Sequence, residues 1–218
     1  MAEVEGSKDL ISVLWSGADI LRSKMDANEY KDYLLGIVFY KYLSDTFLIK
    51  VYDLIYDEKP KSLKVALDAY KEALEDESAE ELKEQIKSEC HYLIEPQLTY
   101  TCFADAARNN AFNRELLQKA FNNIEQSDPL FVDLFTDIDL YSNRLGNGDQ
   151  KQSDTISSLV KEIDKADLLN SDAEILGNAY EYLIGQFASE TGKKAGEFYT
   201  PQAVSKILTK IAIAGQEN

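Results

Sequence analysis

Near its C-terminal end the sequence reads Gly196-Glu197-Phe198-Tyr199-Thr200-Pro201-Gln202, a run whose residue types could do chemistry. Thr200 is a favoured helix N-cap and Pro201 suits a first helical position, so a helix is predicted from Pro201 to about Ile213. The N-terminus of a helix presents unpaired backbone N–H groups and partial positive charge, which suit a carboxylate or a phosphate. Glu197 could take an ammonium or ribose hydroxyls, and the faces of Phe198 and Tyr199 favour a cation such as a sulfonium. Such a run could hold a small ligand that carries both signs of charge. A Thr-Pro start behind two aromatics also serves plain capping with core packing, and the residues alone leave both readings open.

Other reactive groups are few. Cys90 and Cys102 have no CxxC spacing, and the single histidine, His91, adjoins Cys90. A structural zinc site takes four ligands, so no metal site is expected and both cysteines read as ordinary reduced thiols. With one histidine, a histidine-based mechanism is not expected either, and no catalytic residue is assigned in this chain. An acidic start without an apolar core region argues against a signal peptide. No apolar run reaches the roughly 20 residues that span a bilayer. A cytoplasmic protein with no membrane contact is expected.

Those groups must be positioned by helices. Across 218 residues only four prolines and ten glycines punctuate the chain, and 44% of residues are hydrophobic, enough for a core. Ile11, Leu14, Trp15, Ala18 and Leu21 recur with helical period, with Ser7 as N-cap. From about Asn28 to Tyr56 the apolar residues crowd more than one face, which suggests a long helix buried between neighbours. Leu63, Ala66, Leu67, Tyr70 and Leu74 form a third stripe. Ser78 and Glu81 read as a capping box opening a short helix to about Ser88. Residues 91–110 read as an irregular stretch tucked against the helices. Further helices are expected at about Asn113–Gln126, from Ser153 through Ile163, and after the Asn170-Ser171-Asp172 break through Phe187. Between Asp128 and Gly148 a packed loop with one short strand is expected. The tyrosines at 30, 33, 40 and 42 read as core and rim packing ahead of base or partner stacking. Arg22 and Arg144 read as surface salt bridges ahead of subunit or phosphate contacts.

Lys and Arg number 23 against 39 Asp and Glu, a net charge of −16. So acidic a surface repels polyanions, and this segment is not expected to grip DNA phosphates alone. Glu72–Glu81 holds six acids and no base, which reads as a solvated helix face ahead of an acidic docking site.

The run Gly196 to Pro201, preceded by Leu176-Gly177-Asn178-Ala179-Tyr180-Glu181-Tyr182-Leu183-Ile184, resembles the opening of the catalytic domain of type I restriction–modification M subunits, adenine-N6 DNA methyltransferases. Leu14-Trp15, Leu21-Arg22, the block Tyr30 to Ser44, Asp137-Ile138-Asp139 and Ser142-Asn143-Arg144-Leu145-Gly146 resemble that family's helical N-terminal domain, in the family's order. The helical periodicity predicts an all-α fold of about seven or eight helices around one core, the last two belonging to the next domain. Residues 1–168 would be the N-terminal domain, and 169–218 the first helices of a truncated α/β methyltransferase domain. The resemblance implies S-adenosylmethionine as cofactor, with Glu197, Phe198, Tyr199, Thr200, Pro201 and Gln202 lining its pocket. The implied partners are a specificity (S) subunit, a restriction (R) subunit, a second M subunit, and DNA whose target adenine is flipped out of the duplex.

The chain departs from the family pattern at its end. It carries no Asn-Pro-Pro-Phe or Asp-Pro-Pro-Tyr, and all four prolines stand alone. A methyltransferase subunit cut before its catalytic residues, inactive as it stands, is therefore expected. The alternative is a free-standing acidic helical adaptor or DNA mimic without catalysis.

Overall fold

A computed structural model describes residues 2–167, 177, 181 and 202–214. Among them are eight α-helices, three short 3-10 turns and no strand, in agreement with the all-α expectation. The helices are α1 (Ala2–Arg22), α2 (Ala27–Tyr56), α3 (Leu63–Ala73), α4 (Ala79–Cys90), α5 (Tyr100–Arg108), α6 (Arg114–Glu125), α7 (Asp149–Ile163) and α8 (Gln202–Ile213).

The 30-residue α2 is the axis of the fold. Helices α1, α3, α5 and α7 all pack on it, which explains why its apolar residues could not be confined to one stripe. Leu34, Ile37, Phe47, Leu48 and Val51 are fully buried along its length. At its start the Glu29 carboxylate accepts the Asp26 backbone N–H at 3.4 Å, the arrangement expected instead at Ser78. Ser78 makes no cap for α4. Its N–H and hydroxyl both donate to Asp76, at 2.9 and 2.8 Å, because a short acidic turn supplies a nearer acceptor.

Four further expectations are corrected. Helix α1 begins at Ala2, so Ser7 lies inside it and is no N-cap. Within the stretch read as irregular, a 3-10 turn at Pro96–Leu98 leads into α5. The Thr99 hydroxyl caps that helix by accepting Cys102 N–H, and Tyr100, Phe103, Ala104 and Ala107 give it a buried stripe at helical spacing. No strand forms among residues 128–148, where two 3-10 turns, Pro129–Phe131 and Asn143–Leu145, punctuate the loop. Helix α7 starts at Asp149, before Ser153, because Gly148 takes a φ of +92° that only glycine adopts readily.

Tyrosines fasten these elements. Tyr40 donates to the Leu98 carbonyl at 2.8 Å, Tyr70 to Ile94 at 3.1 Å, Tyr92 to Leu43 at 3.0 Å, Tyr100 to Val160 at 2.9 Å and Tyr33 to Asp139 at 2.8 Å. Each buries an aromatic ring and spends its polar end on a carbonyl far away in sequence. Burial raises all five phenols above their ordinary pKa, so they act as donors at any physiological pH. Tyr30, Tyr33 and Tyr40 are at most 5% exposed, which decides for core packing over base stacking.

Candidate functional site

The cofactor run expected from the sequence is met only at its last residue. Gln202 is the first residue of α8, which ends at Ile213 as predicted. Glu197, Phe198, Tyr199, Thr200 and Pro201 lie outside the described residues, as does most of the helix expected after Asn170, of which Gly177 and Glu181 are described as helical. Along α8, Ile207, Leu208, Ile211 and Ile213 are each 57% exposed or more. Such apolar exposure along a helix is the mark of a surface that meets another element.

Within the body of the fold the structure gathers a set of charged groups that the sequence reading passed over. Lys41 and Asp45, one turn apart on α2, form an ion pair of 2.6 Å with side chains 4% and 2% exposed. The ammonium also lies over the Tyr100 ring, 5.1 Å from its centroid. One oxygen of Asp45 takes this bond and the other, Oδ1, is buried without a partner. Burial, opposed by Lys41 and reinforced by Asp164 and Asp167, pushes the Asp45 carboxyl up to about 6. The i, i+4 spacing of Lys41 and Asp45 was legible, but charges at that spacing normally face water. Only the packing of α5 and α7 against that face encloses them.

A second buried cation, Arg114 at 7% exposure, anchors the long loop. Its guanidinium donates to the Leu140 carbonyl at 3.4 Å, to Asp149 at 3.1 Å and to the Gln152 side chain, and it lies 4.1 Å from the Tyr141 ring centroid. The planar, five-donor fork of arginine suits so many partners at once. Further along α6, Phe121 stacks on Phe135 with ring centroids 4.2 Å apart, and Tyr40 is edge-on to both.

These groups position helices. Among the described residues no group of three or more His, Cys, Asp or Glu could hold a metal ion. Cys90 and Cys102 are free, and burial raises the Cys90 thiol pKa, which keeps it from acting as a thiolate. His91 sits 3.7 Å from Asp128 at the surface. Arg22 pairs with Asp19 and Arg144 with Glu29, both exposed arginines acting as surface ion pairs. No helix among the described residues is long and apolar enough to cross a membrane.

The described residues thus define a helical module whose charged interior serves packing. The HsdM N-terminal domain family matches residues 10–163, and the N-6 DNA Methylase family matches residues 171–218. The chain belongs to the HsdM N-terminal domain family and is related to the N-terminal region of type I restriction–modification methylase subunits.

The type I restriction enzyme MpnII methylase subunit of Mycoplasma pneumoniae is 29% identical over 219 residues, covering 94% of this chain and 39% of its own. The MjaIX methylase subunit of Methanocaldococcus jannaschii is 26% identical, covering 91% of this chain and 34% of its own. A crystal structure of the type I restriction-modification system methyltransferase subunit from Streptococcus thermophilus is 48% identical with a TM-score of 0.87, over 97% of this chain and 45% of that one. The chain thus spans about a third to just under half the length of these relatives.

Proposed function

We propose that this chain is the N-terminal part of a subunit that transfers a methyl group from S-adenosylmethionine to adenine N6 in DNA. Residues 1–168 serve subunit assembly and DNA enclosure, and residues 169–218 begin the methyltransferase domain. Glu197, Phe198, Tyr199, Thr200, Pro201 and Gln202 supply one edge of the cofactor pocket. Its partners are an S subunit, an R subunit, a second M subunit and, in the assembled complex, DNA. Such work on DNA belongs in the cytoplasm.

The observation that carries this reading is the likeness, at 48% identity and a TM-score of 0.87, to a solved methyltransferase subunit. Charge supports the division of labour. At −16 the segment repels phosphates, so neighbouring subunits and the remainder of the catalytic domain supply the cations that hold the duplex. Bound S-adenosylmethionine supplies the electrophilic methyl group, while the residues assigned here orient it: backbone amides at the helix start take its carboxylate, Glu197 its ammonium or ribose, and the aromatics its sulfonium. With no Asn-Pro-Pro-Phe motif, the chain by itself transfers no methyl group.

Calorimetry on a full-length subunit tests the pocket. S-adenosylmethionine binds, and combining Glu197→Ala with Thr200→Ala weakens it by at least about ten-fold through lost charge-assisted hydrogen bonds. Unchanged affinity in that variant removes the pocket assignment. The isolated chain shows little or no binding.

A further inference from the structure

We propose that the groove bounded by the end of α2, by α3 and by the start of α4 docks a basic segment of a protein partner. That segment lays one aliphatic or aromatic side chain on the groove floor and sets its lysines or arginines along the rim. This stands on the groove alone and does not depend on the cofactor assignment.

The groove has a volume of about 500 Å³, enough for one or two large side chains. Leu54, Ala69, Ala73 and Leu82 line its apolar part. Ala69 and Ala73 are one turn apart on α3, and with only methyl groups there the helix leaves a hollow. Tyr56, 49% exposed at the edge, offers an aromatic face to an incoming cation. The rim carries Glu72, Asp76 and Glu81, and no basic residue lines it.

The neighbouring acids on the same helices behave differently. Lys64 meets Asp68 at 3.3 Å, Lys83 meets Glu80 at 2.6 Å, Lys87 meets Glu84 at 3.0 Å and Lys50 meets Glu89 at 2.7 Å. Among the described residues Glu72 and Glu81 have no ion pair. Glu72 sits in the last turn of α3, where the helix dipole disfavours an acid. The two donors from Ser78 hold the Asp76 carboxyl below its ordinary pKa, so it stays charged. Helix α2 ends here with no basic residue in its last turn, and its free carbonyls add negative potential.

An apolar floor ringed by carboxylates without counter-charges complements an apolar anchor flanked by cations. A second copy of this chain, also at −16, fits the rim poorly, and nucleic acid is repelled by it.

The probe is a short fluorescein-labelled helical peptide with leucine and tryptophan on one face and arginine and lysine on the other, followed by anisotropy. One control replaces its cations with glutamate and another its apolar residues with serine. The basic amphipathic peptide binds and both controls lose binding. Glu72→Gln with Glu81→Gln weakens it by about five-fold, as expected for two solvent-edge charges. Glu115→Gln with Asp154→Asn, the same charge change on α6 and α7 away from the groove, alters it by less than about two-fold. Ala73→Trp, which fills the hollow, abolishes binding in protein whose melting curve remains cooperative. Equal weakening by the distal pair, equal binding of the serine control, or no binding of the basic peptide overturns the proposal. Should Ala73→Trp fail to fold, the two charge pairs still decide it.

Discussion

Replacing Lys41 with methionine strips the buried carboxylate of Asp45 of its counter-charge, and the consequence for stability depends on pH. The pair is 2.6 Å long with both side chains under 5% exposed, a setting in which removing one partner costs about 3–5 kcal/mol. Domains of this kind are stabilised by only about 5–15 kcal/mol in total. Burial already raises the Asp45 carboxyl from 3.8 to about 6, and Lys41 is what restrains it.

An acid whose folded pKa lies above its unfolded one binds its proton more tightly when folded. Its contribution to stability is therefore most favourable below 3.8 and declines as pH rises to about 6. In the wild type that decline ends once Asp45 ionises beside Lys41. Without Lys41 the burial is unopposed, the carboxyl is raised further, and the decline continues above pH 6.

The penalty of Lys41→Met therefore grows between pH 5 and pH 8, by about 1.4 kcal/mol for each pH unit by which the carboxyl is raised further. Urea unfolding followed by far-ultraviolet circular dichroism at both pH values measures it. Adding Asp45→Leu to the methionine variant removes the stranded carboxyl and recovers most of the loss at pH 8. A penalty that stays flat across this range, or a double variant no better than the single one, refutes the account of the buried pair.

Two smaller perturbations test other joints. A Cβ at Gly36 would lie 1.9 Å from Ile138 Cδ1, so Gly36→Ala forces the loop off α2 and destabilises by about 1–3 kcal/mol despite better helix propensity; Ile138→Val, which removes that methyl, restores much of the loss in thermal melts. Arg114→Lys keeps the charge but loses the fork to Leu140, Asp149 and Gln152, so amide exchange in residues 139–149 accelerates while α1 is unaffected, and uniform acceleration would mean Arg114 supports the whole fold equally.

Much of the helical order was legible because periodicity is a local property. The stripes of α3 and α6 and the end of α8 fall close to where the residues place them, since each needs only its own spacing and caps. Helix α5 was missed although Tyr100, Phe103, Ala104 and Ala107 carry the same signal. The apolar run Tyr92-Leu93-Ile94 before it, and a 3-10 turn that opens on Pro96, masked its start. The Thr200 run is readable as chemistry from residue type alone, but the described residues reach it only at Gln202.

By itself the sequence determined composition-level and local properties: the acidity, the helical class, the likeness to M subunits and the candidate cofactor run. Tertiary structure alone decided which tyrosine meets which carbonyl, as with Tyr33 and Asp139, 106 residues apart. It alone turned an ordinary i, i+4 pair at Lys41 and Asp45 into a buried one, and left Glu72 and Glu81 beside a hollow without counter-charges. The physical reason is that helix formation depends on neighbours along the chain, whereas desolvation depends on what other elements bring against a face.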